Sequence, residues 1–389
     1  MSVTAAQGFV AAGAACGVKA SGALDLAIVA TADGRPVPAA ATFTRNKAAA
    51  APVQVCRAHL AHTDGHAAAV VLNSGNANAA TGADGREHAT RMASTTASAL
   101  GCDTEHVLVC STGLIGIPLP IDRIDKAIPD LAASAMHRSS NSGDAARAIM
   151  TTDTADKQVV IARDGFTVGG MAKGAAMLAP DMATMLAVLT TDALVDPVVL
   201  QTALAAAVAG SFNRLSVDGC TSTNDTVILL ASGRAGRVDP AALADAVFDA
   251  CLSLAKQMAA DAEGATKVVT VTVEGARTND EARQAARKVA ESQLTKCSWY
   301  GQDPYWGRVA SDLGTAGVEF DIDRLSVRYG GVEVCRGGVA VAHDEAALAS
   351  HMAGRAIELT ADLGLGTGVD WILTNDLTHA YVDENMGTS

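Results

Sequence analysis

The sequence runs to 389 residues, 49% apolar and 18% charged, enough for more than one core and so for two domains or one two-lobed unit. A net charge of −13 without any Lys/Arg cluster excludes the basic surface that nucleic acid requires, and 3% aromatic residues argue against an aromatic groove. The eight cysteines form no CxxC pair and no zinc-like spacing, and read as reduced, mostly buried apolar residues.

The chain opens MSVTAAQGFV, without a basic leader, and no run of about 18 apolar residues follows, so a cytosolic protein is expected. Short apolar runs closed by Gly, Asn, Ser or Asp predict strands at 68–72, 106–110, 185–190, 226–230, 268–273 and 369–374. Ala-rich stretches predict helices at 86–100, 197–209, 240–262 and 280–294. Asp239 before Pro240 is a fitting cap for the third, and Asn279 for the fourth. The alternation is that of an α/β fold with helices layered on sheet. Gly169, Gly170, Gly174 and Pro180 place the softest boundary at 165–184. The late GLGTG (364–368) precedes a strand rather than a helix and is no dinucleotide loop.

The stretch GGMAKGAAMLAPDMATMLAVLTTDA (169–193) is the least ordinary. A Gly-rich approach, a lone Lys173 and a Pro–Asp turn lead to Thr184, which opens an apolar strand. A strained bond before Thr184 would let its hydroxyl attack the Ala183 carbonyl, and hydrolysis of the ester would free the α-amine. Such an amine titrates near 7.7–8.0, about the working pH, and can serve as base for its own hydroxyl. Pattern alone favours an ordinary strand threonine.

The words LNSGNANAATG (72–82), CSTGLIG (110–116), AIMTTD (148–153), GGMAKGAAMLAPDMATM (169–185), STNDT (222–226), DAEGATK (261–267) and DLTHAYV (376–382) occur in this order. Together they resemble the ornithine acetyltransferase family, the bifunctional glutamate N-acetyltransferase/amino-acid acetyltransferase of cyclic arginine biosynthesis, essentially end to end. The resemblance implies a two-lobed, layered α/β fold of the ornithine acetyltransferase/DmpA-like type. It implies self-cleavage at Ala183–Thr184 into an α-chain (1–183) and a β-chain (184–389), assembled as a cytoplasmic heterotetramer of two of each. It also implies ping-pong transfer of acetyl from N2-acetylornithine to glutamate through acetyl-Thr184.

Carried over residue by residue, Thr112 and Gly113 match the oxyanion hole, and a hydroxyl beside a Gly N–H is suited to that task. Thr151 (or its neighbour Thr152), Lys173, Thr184, Glu263, Asn385 and Ser389 match substrate-binding positions. Without the resemblance, Thr112–Gly113 reads as a strand-ending turn, Lys173 as a loop lysine and Glu263 as a helix-end acid; Asp153 could cap a turn.

The family usually ends N-x-x-Y-x-[T/S], whereas this chain ends NMGTS, leaving Ser389 or Thr388 for the terminal role. Tyr305 and Cys220 also depart from the family pattern. His59, His62 and His66 share helical spacing but read as a solvated stretch; no metal site emerges and acetyl transfer through Thr needs none. No cofactor is implied; acetyl-CoA as a second acetyl donor stays open. Rival readings are a paralogous acetyltransferase of secondary metabolism with another acceptor, an N-terminal-nucleophile amidohydrolase, and a non-catalytic binding protein on the same scaffold.

Overall fold

The structure, a computed structural model, describes residues 2–137, 142–177 and 185–387. It divides into two compact units. The first holds the described residues up to Asn213 together with Cys220–Met258; the second holds Arg214–Gly219 and Ala259–Gly387. Neither boundary falls within 165–184, because strands on both sides of that stretch belong to one sheet.

The strands of the first unit are β1 (Phe9–Ala14), β2 (Leu26–Thr31), β3 (Val37–Phe43), β4 (His66–Ala67), β5 (Ala69–Asn76), β6 (Val107–Leu114), β7 (Lys157–Arg163), β8 (Phe166–Lys173), β9 (Leu186–Leu194) and β10 (Thr226–Arg237). They form a four-stranded sheet, β1-β2-β5-β6, and a six-stranded sheet, β4-β3-β10-β9-β8-β7. Its helices are α1 (Ala51–His62), α2 (Gly82–Leu100), α3 (Ile121–His137), α4 (Ser142–Ala148), α5 (Pro197–Gly210) and most of α6 (Pro240–Ala260). Helices α1–α4 lie against the four-stranded sheet and α5 against β3 and β10.

One apolar core runs from these helices through both sheets, with Ile28, Val71 and Leu108 on one and Met171, Val188 and Ile228 on the other. Two parallel pairs, β5–β6 and β9–β10, are each bridged by a helix, as parallel neighbours require. The carboxyl ends of β5 and β6 thus emerge side by side, the usual place for a site in such a unit.

The second unit carries β11 (Val268–Ala276), β12 (Ser326–Tyr329), β13 (Val332–Arg336), β14 (Val339–Ala340), β15 (Ala356–Asp362) and β16 (Gly368–Asn375) in the order β14-β13-β12-β15-β11-β16. The alternation in β11 holds: Val269, Val271 and Val273 are fully buried while Thr270 and Thr272 are half-buried. Its helices are α7 (Asn279–Ala290), α8 (Gln293–Tyr300), α9 (Trp306–Gly314), α10 (Glu345–Ala353) and α11 (His379–Glu384).

All six predicted strands are present within a few residues, and the predicted helix over 280–294 is two. Thr278, not Asn279, caps α7 by accepting the Glu281 N–H; Ser292 then accepts from Thr295 and starts α8 afresh. Asp239 takes the capping role expected of it, accepting from the Ala241 and Ala242 N–H groups. His59 is not solvated. It is buried in α1 with Nδ1 2.8 Å from the Val107 carbonyl oxygen. No disulfide joins any of the eight cysteines; Cys56, Cys110, Cys251 and Cys335 are buried, whereas Cys220 and Cys297 are exposed. No helix among the described residues is long and apolar enough to cross a membrane.

Candidate active site

At the carboxyl end of β6, Thr112 is buried and its hydroxyl has no hydrogen-bond partner among the described residues. Gly113 follows with φ +127°, and a Cβ there would stand 2.3 Å from the Gly75 carbonyl carbon and 2.5 Å from the Asn76 nitrogen. Only glycine fits so close a crossing of two strands. The β5–β6 register shifts at this point, with Asn76 facing both Thr112 and Leu114.

The loop after β5 is held by its own amides. Asn73 donates through Nδ2 to the Asn76 carbonyl and its Oδ1 accepts from the Ser111 hydroxyl, and Asn76 Nδ2 donates to the carbonyls of Ile117 and Pro118. Asn224, in STNDT, donates to the carbonyls of Ala77 (2.6 Å) and Ser111 (2.9 Å), and so ties the start of β10 to the strand end that carries Thr112. The buried hydroxyl beside Gly113 therefore sits in a frame with little freedom to relax.

The same end of the six-stranded sheet holds a buried group of charges. Lys173 closes β8, only 3% exposed, with Nζ 3.9 Å from Asp153 Oδ2. Asp153 also receives the Lys157 ammonium at 2.7 Å, the Gly174 N–H at 2.7 Å and the Thr151 N–H at 3.0 Å. Burial pushes its carboxyl up, but Lys173, Lys157 and these donors outweigh that and hold it at about 2. Asp153 thus fixes both Thr151 and the turn that Lys173 enters. Lys19, which no sequence pattern marks out, donates to the carbonyls of Leu24 (2.8 Å) and Met150 (2.7 Å), pinning AIMTTD from the other side. Burial lowers its pKa, and the positive charge of Lys173 lowers it further against Asp25 and Asp153.

Asp225 opens β10. Oδ1 accepts the Met185 N–H at 2.9 Å, and burial drives its carboxyl well above the usual range. Thr184 itself lies outside the described residues, as do Ala183, Thr388 and Ser389.

The second unit holds the other two words together. Glu263 follows α6, 8% exposed, and Oε2 accepts the Asn385 side-chain amide at 2.8 Å. Gly264 has φ +62°, and a Cβ there would meet the Tyr381 nitrogen at 2.4 Å, so glycine lets α11 close onto this turn. Thr378 caps α11 and donates to the Gly264 carbonyl at 2.7 Å, while Asp376 accepts from the main chain of Thr266 and Lys267.

Beside Glu263 is a cavity of about 110 Å³, lined among others by Asp218, Glu291, Lys296, Asp376 and Tyr381. Burial brings the Lys296 ammonium down to about 8, against Asp218, Asp376 and Glu291. Tyr305 is half exposed and carries the Arg308 guanidinium 5.9 Å from its ring centre. No group of three or more His, Cys, Asp or Glu among the described residues is arranged to hold a metal ion.

Lys19 stands alone in VKASG, and Asp225, though inside the STNDT word, reads as a polar lead-in to a strand. Thr112, Gly113, Thr151 and Lys173 lie in the first unit, Glu263 and Asn385 in the second.

Comparison with known proteins accords with this arrangement of words. The ArgJ family matches residues 10–387. A Mycolicibacterium paratuberculosis protein described as "Arginine biosynthesis bifunctional protein ArgJ" is 49% identical over 395 residues, spanning 100% of this chain and 96% of its own. A Streptomyces coelicolor protein of the same description is 48% identical over 392 residues, spanning 100% of both. Among solved structures, ornithine acetyltransferase of Mycobacterium tuberculosis complexed with ornithine is 45% identical, covering 46% of this chain and 94% of its own with a TM-score of 0.44. With a match across nearly its whole length, the chain belongs to the ArgJ family.

Proposed function

We propose that the protein is an acetyltransferase of arginine biosynthesis that moves an acetyl group from N2-acetylornithine to glutamate, with Thr184 as the nucleophile. The observation that carries the reading is the buried Thr112 hydroxyl, unpartnered among the described residues, next to Gly113: a donor pair of the kind a tetrahedral oxyanion needs. In the first half-reaction the Thr184 hydroxyl adds to the acetyl carbonyl and its proton passes to the α-amine. The oxyanion is met by Thr112 and Gly113. The C–N bond then breaks, the proton goes to the departing nitrogen, and ornithine leaves acetyl-Thr184. Glutamate's amine runs the sequence backwards.

Lys173, beside this end of the sheet, favours a neutral α-amine through like-charge repulsion. Thr151 is held by Asp153 for substrate contact, and Glu263 with Asn385 are the residues that the resemblance gives to the amino acid. Ser389 belongs to the same set. Cleavage at Ala183–Thr184 gives chains 1–183 and 184–389, two of each in a cytoplasmic heterotetramer. No cofactor is needed; acetyl-CoA as sole donor to glutamate is a second activity to assay.

The test is N-terminal sequencing of the purified protein with assay of the product. Two bands, one beginning Thr-Met-Leu, and acetylglutamate from acetylornithine are expected. An intact, active chain ends the mechanism. Free acetate in place of acetylglutamate makes the protein a hydrolase.

A further inference from the structure

The word STNDT (222–226) supplies no reacting group in the proposed transfer, yet its central Asn224 is only 4% exposed. Both hydrogens of its side-chain amide are used. Nδ2 donates to the Ala77 carbonyl at 2.6 Å and to the Ser111 carbonyl at 2.9 Å. Oδ1 accepts the Thr223 hydroxyl at 2.7 Å, which fixes the amide in that orientation. The segment around it is tethered as well: the Asn224 N–H donates to the Ser222 hydroxyl at 3.0 Å, and the carbonyls of Ser222 and Thr223 accept the Thr44 hydroxyl (2.7 Å) and the Ala50 N–H (2.9 Å).

The two carbonyls matter by their position. Ser111 immediately precedes Thr112, and its carbonyl lies in one rigid peptide plane with the Thr112 N–H. Ala77 in turn donates its own N–H to the Leu114 carbonyl at 2.9 Å. A single amide therefore grips β6 just before Thr112 and, through Ala77, just after Gly113. The pair between those grips is poorly held otherwise. The β5–β6 register breaks there, Gly113 sits at φ +127°, and the Thr112 hydroxyl has no hydrogen-bond partner among the described residues.

We propose that Asn224 is the positioning residue of the oxyanion pair: its two N–H bonds clamp β6 on either side of Thr112 and Gly113 and so set where those donors point. The inference rests on the reading of Thr112 and Gly113 as the groups that meet the oxyanion. An asparagine suits the task because one nitrogen gives two donors; a serine has one, and an aspartate would turn oxygen toward both carbonyls. Donors held in place beforehand need no reorganisation as charge develops, and that is the source of their effect on rate.

The experiment is a double-mutant cycle in the full chain with Asn224→Ala, Thr112→Val and the combination, each checked for native thermal unfolding. Cleavage is followed on denaturing gels, and kcat and KM for acetylornithine are referred to the cleaved fraction. Asn224→Ala is expected to lose about 100-fold in kcat, the scale of a 1 Å misplacement, with KM within about threefold. In the Thr112→Val background the same change is expected to cost less than about fivefold more, because the hydroxyl it positions is already gone. A variant that does not mature is scored by its rate of self-cleavage, which passes through an oxyanion of the same kind.

A merely structural asparagine would add its full loss in either background. Equal losses in the two backgrounds, or a folded Asn224→Ala enzyme with native kcat, overturn the proposal. Should the Ala variant not fold, Asn224→Ser goes through the same cycle; if neither folds, the residue is structural and the proposal fails. Thr112→Val tells the two readings apart. Native turnover in that variant sinks the oxyanion assignment itself, whereas a slow Thr112→Val beside a native Asn224→Ala sinks only the positioning role.

Discussion

The Asn385 side-chain amide donates to Glu263 Oε2 across 2.8 Å, bringing residues 122 positions apart into one polar pair in the second unit. Asn385 has a further bond to the Tyr381 carbonyl at 2.9 Å, so it acts as a strut that fixes the Glu263 carboxylate. Asn385→Ala is expected to raise the KM for the amino-acid acceptor about tenfold, with kcat changed less than threefold, as loss of uniform binding does. Steady-state kinetics with glutamate as the varied substrate is the check; an unchanged KM removes Asn385 from substrate binding.

Thr112→Val keeps the branched shape and discards the hydroxyl. Removing one oxyanion donor lowers kcat about 100- to 1000-fold in acyl-transfer sites, and the same is expected here. Thr112→Ser should recover all but about tenfold of it, since the donor survives. Single-turnover acetylation of the enzyme by acetylornithine isolates this step.

Gly113→Ala meets two obstacles at once, φ +127° and backbone atoms of Gly75 and Asn76 within 2.5 Å of the new carbon. The expected cost is at least about 2 kcal/mol of stability. Urea unfolding of native and variant proteins measures it directly; equal midpoints would mean that β5 and β6 part more easily than their register implies.

Acid should loosen the Asp153 hub in a defined window. Its carboxyl is held at about 2, below its ordinary 3.8, so its stabilising effect is complete above about pH 5 and disappears as pH falls toward 2. The displacement corresponds to about 2 kcal/mol at neutral pH. Asp153→Asn is expected to lose at least about that much, because Lys157 is left buried without its carboxylate, and to show a flatter stability curve between pH 5 and 2.

Lys296 also has a lowered pKa, but here it is the charged form that folding disfavours. Its folded pKa of about 8 lies below the 10.5 of an unfolded lysine. The unfolded chain therefore binds more protons between those values, and stability rises with pH across that interval. Lys296→Met should abolish this rise, which chemical unfolding at pH 7.5 and 10 resolves.

Much of the second unit was legible because its strands obey ordinary rules: β11 alternates Val with Thr and faces the core on one side. The first unit hid more. β1 and β3, FVAAGA and VPAAATF, are rich in Ala, which favours helix in isolation, and the place of β3 in a sheet comes from β10, far along the chain. Thr112, Gly113, Lys173 and Glu263 were found through the words that contain them. Lys19 and Asp225 were not, since each acts through a main-chain group that only the folded chain brings to it: the Met150 carbonyl for one, the Met185 N–H for the other.

β8 and β9 run antiparallel from Val168 opposite Thr191 to Lys173 opposite Leu186, and β9 pairs with β10 on its other edge. A break in the segment joining β8 to β9 therefore severs the polymer while leaving the hydrogen-bonded ladder whole. Such a molecule keeps the shape of one chain without its continuity. Once denatured, its halves must find each other by diffusion, so regain of native structure should depend on protein concentration after cleavage and not before it.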